Sequence, residues 1–143
     1  MAVALTREQR DTLRSTALLE LSAIGDIPRM LRFGNAEGAQ RLRRRLEGIM
    51  LLLDDLGWEG LDERERFELT MPREQLEPLL RRFDQEAERA LEDGRRELEA
   101  VPDRSDPEPS QTLRAIRGQL DEDLDVRSAC GFALEALGAE EDA

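Results

Sequence analysis

The sequence predicts an all-α protein: an antiparallel helical hairpin plus two longer helices, forming a four-helix bundle. Three observations predict it. Leu, Ile and Ala recur at three- and four-residue spacing along most of the 143 residues. Charged residues make up 38% of the chain and hydrophobic residues 39%, and amphipathic helices need just such a balance of polar and apolar faces. Aromatic residues are only 3%, so the core is expected to be aliphatic.

The first helix is expected to begin after Thr6. Thr6 and Gln9 have the spacing of a capping box, in which each side chain satisfies the other's free backbone N–H. Leu13, Ala17, Leu21 and Ile24 then recur at helical spacing, with Leu18 widening the stripe. Gly25-Asp26 before Pro28 predicts a kink in one helix over 7–33, with two shorter helices as the alternative.

Gly34-Asn35 breaks the pattern. Gly34 suits the left-handed residue that ends a helix, and Asn35 suits the cap of the next. Leu42, Leu46, Ile49, Leu53 and Leu56 then form a narrow seam that runs to Gly57, with Met50 and Leu52 beside or opposite it. The short turn makes these first two helices antiparallel neighbours.

Phe67-Glu68-Leu69-Thr70-Met71 alternates apolar and polar residues, which favours a short strand near 66–71, although Asp62–Arg66 is helix-friendly. Its expected partner is the 58–62 stretch or its own copy across a dimer axis. Pro72 suits a first helical position and opens the third long helix. Leu76, Leu80, Phe83, Ala87, Ala90 and Leu98 line that helix. Gly94 falls in the same stripe, so either the helix breaks at Asp93-Gly94 or Gly94 admits a close helix contact. A continuous helix over 72–100 would be about 44 Å long, against a radius of gyration of about 15 Å for a domain of this size. Such a helix would protrude unless another chain covered it, and this argues for a homodimer.

Residues 102–110 hold three prolines and read as a linker. Ser110 suits the cap of a last helix lined by Leu113, Ile116, Leu120, Leu124, Leu134 and Leu137, and Gly138 its end. Residues 1–138 therefore read as one helical domain, and 139–143 as a frayed acidic tail. Three segments prompt a comparison: Leu21-Ser-Ala-Ile-Gly-Asp26, Leu51-Leu-Leu-Asp-Asp-Leu-Gly-Trp58 and Phe67-Glu-Leu-Thr-Met-Pro72. In these the chain resembles a group of small helical proteins from GC-rich bacteria, over about its first two thirds; the resemblance implies no activity, cofactor or site residue. The stretch from Gly34 to Ala39 is similar to the inter-helix turn of tetratricopeptide repeats. No second copy follows at that period, so an ordinary hairpin is the better reading.

Composition excludes much chemistry. The chain has no His, Lys or Tyr, and one Cys, Cys130. Those types supply most nucleophiles, general bases and tight transition-metal ligands. Cys130 has apolar neighbours one turn away and reads as a small core residue. No phosphate-binding glycine loop is present, and no cofactor is expected. All 21 basic residues are Arg, as the codon usage of a GC-rich genome would give.

The net charge of −12 is unevenly spread. Residues 1–57 carry 9 Arg against 8 acids, and residues 58–143 carry 12 Arg against 25 acids. Such a surface repels nucleic acid and anionic membranes and suits a basic protein partner. Neither a signal peptide nor a membrane span is evident, and the expected setting is cytoplasmic.

Four sets of side chains are candidates for contacts. Asp121 and Asp125, one turn apart in the last helix, could hold a divalent cation, as could Asp54 and Asp55. A solvated helix face or structural pairing is the simpler account of both. Arg41, Arg44 and Arg45 share one helix face and could grip an anion, although bridges to the chain's own acidic half are the better reading. Trp58 could cover one end of the bundle or anchor a partner.

The first expectation for function is a non-enzymatic, regulatory or interaction protein. The alternatives are a carboxylate metal site or enzyme, and a small-molecule sensor with a pocket between helices. Polar residues forced into the core would favour the alternatives; apolar seams that read as nearly unbroken favour the first.

Overall fold

The computed structural model describes residues 3–23, 27–32, 34–101 and 107–141. The chain is predominantly helical and carries a two-stranded antiparallel sheet. The elements run β1 (Val3–Thr6), α1 (Arg7–Ala23), α2 (Ile27–Arg32), α3 (Ala36–Leu56), β2 (Arg66–Leu69), α4 (Arg73–Ala100) and α5 (Pro107–Glu141). No helix among the described residues is long and apolar enough to cross a membrane.

The strand expected near 66–71 is present as β2, but its partner is neither 58–62 nor a second copy. It pairs with β1 of the same chain, Val3 opposite Leu69 and Leu5 opposite Phe67. The two-residue period puts Val3, Leu5, Phe67 and Leu69 on one buried face. Val3-Ala-Leu-Thr6 is too short to announce itself as a strand, so an all-α reading missed it.

The capping box forms as its spacing predicts. Gln9 N–H donates to Thr6 Oγ1 at 3.3 Å, and Thr6 N–H donates to Gln9 Oε1 at 3.0 Å. Of the stretch 7–33, expected as one kinked helix or two shorter ones, the described residues form α1 and α2. Ile24, Gly25 and Asp26, where the kink was placed, lie outside the described residues, as does Phe33. Gly34 is left-handed with φ 77°, and the Asn35 side chain accepts from Gly38 N–H at 3.0 Å. Both halves of the predicted break are thus in place.

The buried face of α3 is rotated from the predicted seam. Ile49, Leu52, Leu53 and Leu56 are buried, whereas Leu42 and Leu46 are only half-buried. Leu52 turns inward because α3 is covered on more than one side: α1, β2 and α4 all contact it. A narrow seam describes a helix with a single neighbour; a helix with several buries a wider arc.

Pro72 precedes α4 as its cap residue, and its carbonyl accepts from Gln75 and Leu76 N–H, both at 3.0 Å. α4 is unbroken through Asp93-Gly94. Its long flank is covered by α5 from the same chain, so its length does not call for a second copy. The pairing is antiparallel. Arg73 at the start of α4 donates to the Leu137 carbonyl near the end of α5 at 3.0 Å, and Arg127 meets Asp84 at 3.1 Å between them.

α5 starts at Pro107, so Ser110 lies inside its first turn rather than capping it. A first turn tolerates proline because its N–H groups have no helical partner. Residues 102–106 of the predicted linker lie outside the described residues. α5 also continues past Gly138 to Glu141. Leu124, expected in its seam, is half-exposed, and Asp123 is buried in its place.

α1 and α3 are antiparallel as well. Arg10 near the start of α1 reaches the end of α3, and Glu20 near the end of α1 meets Arg45 in mid-α3 at 2.7 Å. The core that results is aliphatic except for Phe67 and Phe83.

Candidate functional site

A groove of about 500 Å³ is lined by residues of α1, α4 and α5. Phe83 and Ala87 of α4 and Val126 of α5 give it apolar walls. Five carboxylates line it: Asp11, Glu86, Glu122, Asp123 and Asp125. The lining contains no Arg among the described residues. A second hollow between α1 and α5 shares Asp11, Thr12 and Asp125 and adds Glu8 and Ser128. The two make one acidic furrow along the α1–α5 seam.

These carboxylates differ in what already holds them. Asp11 accepts from Arg10 Nη1 at 2.9 Å, and Glu86 from Arg82 Nε at 2.9 Å. Burial, followed by the neighbouring Glu20, pushes the Glu86 carboxyl above the usual carboxylate range. Asp123 is 8% exposed. Its Oδ1 accepts from Gln119 Nε2 at 3.2 Å, while its Oδ2 is enclosed with no hydrogen-bond partner. A buried carboxylate oxygen without a donor is costly in a folded protein.

The residues singled out from sequence are dispersed. Asp125 lines the furrow; Asp121 is exposed and outside it. Asp54 accepts from the Trp58 indole at 2.7 Å. Asp55 accepts from Thr70 N–H and Oγ1, both at 2.8 Å, and from Met71 N–H at 2.9 Å, so it caps the exit from β2. Both carboxylates thus serve structure. No group of three Asp, Glu or Cys side chains among the described residues is placed to hold a metal ion.

Arg45 is bridged to Glu20, whereas Arg41 and Arg44 are exposed. Trp58 is 42% exposed, so it leaves much of its ring uncovered at the end of α3. Cys130 is buried, and burial together with Asp84 pushes its thiol up to about 12. It is therefore an inert thiol at neutral pH.

Two buried charged positions carry a signal legible in the sequence. Counting back from Leu137 through Ala133, Cys130 and Val126 at three- and four-residue steps lands on Asp123. Counting back from Ala17 through Leu13 lands on Arg10, which is 1% exposed. The seams that read as nearly unbroken are thus interrupted by two charged residues. Asp11 and Glu86 line the furrow from different helices, α1 and α4, which no local pattern reveals.

No known protein family matches the chain, and neither curated proteins nor solved structures give a match. The functional reading therefore rests on the chain's own side chains.

Proposed function

We propose that this chain is a non-enzymatic interaction protein that takes a basic segment of a protein partner into the furrow between α1, α4 and α5. The observation that carries the reading is the furrow itself, with carboxylates around an apolar floor and one buried carboxylate oxygen left without a donor. An Arg- or Lys-bearing segment with apolar neighbours complements both features. Lack of His, Lys and Tyr and the inert thiol weigh against catalysis. The dispersal of Asp54, Asp55, Asp121 and Asp125 weighs against a dedicated cation site. In this reading the four long helices act as a four-helix bundle, and the furrow lined by α1, α4 and α5 is its docking face.

Fluorescence anisotropy tests this with a labelled peptide of alternating Arg and Leu added to the intact chain. Saturable binding that weakens as salt is raised is the expected result. The same peptide with Glu in place of Arg should not bind. Equal binding of both peptides, or of neither, would overturn the reading.

A further inference from the structure

The furrow's carboxylates are not equivalent, and the difference points to a particular ligand group. Glu122 and Asp125 are exposed; Asp11 and Glu86 already have an Arg of their own. Asp123 alone is buried and half-satisfied. Its one donor is the side chain of Gln119, an exposed residue one turn earlier on the same helix. We propose that Asp123 is the anchor for a guanidinium group, an arginine side chain of the partner that enters the furrow and takes both carboxylate oxygens. This rests on the reading of the furrow as the site for a basic segment.

The chemistry selects guanidinium over ammonium. A carboxylate presents two oxygens side by side, and the planar guanidinium fork meets both with parallel N–H donors. An ammonium is a point charge that is more strongly hydrated, so it costs more to bring against Phe83 and Val126. The arginine methylenes suit the apolar walls beside the carboxylate. Asp11, Glu86, Glu122 and Asp125 set a negative potential around the entry, which favours the approach of a cation and disfavours an anion.

In the unbound chain Asp123 works against stability. Replacing its charge with an amide of the same shape removes a buried, half-satisfied anion. Asp123→Asn should therefore keep or raise the thermal midpoint while binding is lost. A residue kept only for structure would move both in the same direction.

The experiment uses the intact chain and a labelled peptide with a single Arg flanked by Leu and Ser. It is compared with peptides in which that Arg is Lys or citrulline, the latter neutral and nearly isosteric. Asp123→Asn is compared with Asp121→Asn, which lies outside the furrow. The proposal expects the Arg peptide to bind the parent chain and Asp121→Asn alike, and to bind Asp123→Asn about thirtyfold more weakly or worse. Citrulline should abolish binding, and Lys should weaken it. If the Arg peptide binds Asp123→Asn as well as the parent, or citrulline binds as well as Arg, the anchor is overturned while the furrow reading stands. If no basic peptide binds the parent chain, both fall. The citrulline comparison is independent of any effect of substitution on folding.

Discussion

Arg10 Nε donates to the Leu56 carbonyl at 2.7 Å, which ties the first turn of α1 to the last turn of α3. The same guanidinium donates to the carbonyls of Gly57, Glu59 and Gly60 at 3.2, 2.6 and 3.1 Å. It also lies over the Phe67 ring, 5.0 Å from its centroid. The last turn of a helix leaves carbonyls without partners and carries partial negative charge. One buried arginine answers both needs, and in doing so it fixes the loop that carries the chain from α3 to β2. Arg14 adds a bond to the Trp58 carbonyl.

Removing Arg10 should therefore cost far more than an ordinary surface charge. Arg10→Met keeps the apolar stem but leaves several enclosed carbonyls without donors. A loss of about 3 kcal/mol or more is expected, read as the shift in a urea unfolding midpoint. Arg10→Lys should recover only part of it, since one ammonium cannot span four carbonyls as the fork does. A loss below about 1 kcal/mol for Arg10→Met would mean the loop is held by other contacts.

Gly94 of α4 lies against Leu120 of α5. A Cβ added there would sit 2.7 Å from Leu120 Cδ2. Gly94→Val should lower the thermal midpoint, because Leu120 must leave its position. Shortening that neighbour should restore it, so Gly94→Val with Leu120→Ala is expected to be more stable than the two single losses summed. Strict additivity in a double-mutant cycle would show that the two side chains do not compete for space.

Leu80 and Leu46 both fall in predicted seams, yet Leu80 is fully buried and Leu46 only half-buried. Leu80→Asp buries an unpaired charge and should abolish cooperative folding. Leu46→Asp can turn its carboxylate to water and should leave a helical, cooperatively melting chain. Circular dichroism melts separate the two cases. A folded Leu80→Asp would contradict the core described for α4.

Acid should act through particular carboxylates. Hydrogen bonds from the Arg64 side chain and backbone hold Asp62 well below the usual range, and Arg81 and Arg73 depress Glu77. A depressed acid contributes stability above its unfolded pKa and loses it as pH falls through the folded one. Glu86 has the opposite sign, and its contribution is present in acid and lost as pH rises through its raised pKa. Asp62→Asn should therefore flatten the acid limb of a stability–pH curve, and Glu86→Gln should gain stability toward neutral pH. Unchanged curves for both would refute these assignments.

Local signals explain what could be read in advance. The Thr6–Gln9 box, the Gly34-Asn35 break and the Leu76, Leu80, Phe83 and Ala87 stripe of α4 depend on residues a few positions apart, and each appears where its spacing places it; farther along α4, Leu91 is buried in place of Ala90 and Leu98. Long-range partners do not announce themselves in this way. β2 alternates visibly, but nothing near it points to Val3–Thr6, some sixty residues away. Leu52 lies off a one-neighbour seam and is buried because α3 has several neighbours. Arg10 and Asp123 were hidden by their residue type. Each sits in step with its helix's buried stripe, and the expectation that charges face water overrode the count. The furrow was the least legible part, since its lining comes from three helices far apart in sequence.

Mapping amide chemical shifts by NMR as the Arg–Leu peptide is added tests the central claim most directly. Changes concentrated on α1 around Asp11–Thr16, on α4 around Phe83–Ala90 and on α5 around Gln119–Val126 are expected. Changes confined to Trp58–Leu61, or to the opposite face of α3 around Arg41–Arg44, would contradict it and place the interaction surface elsewhere.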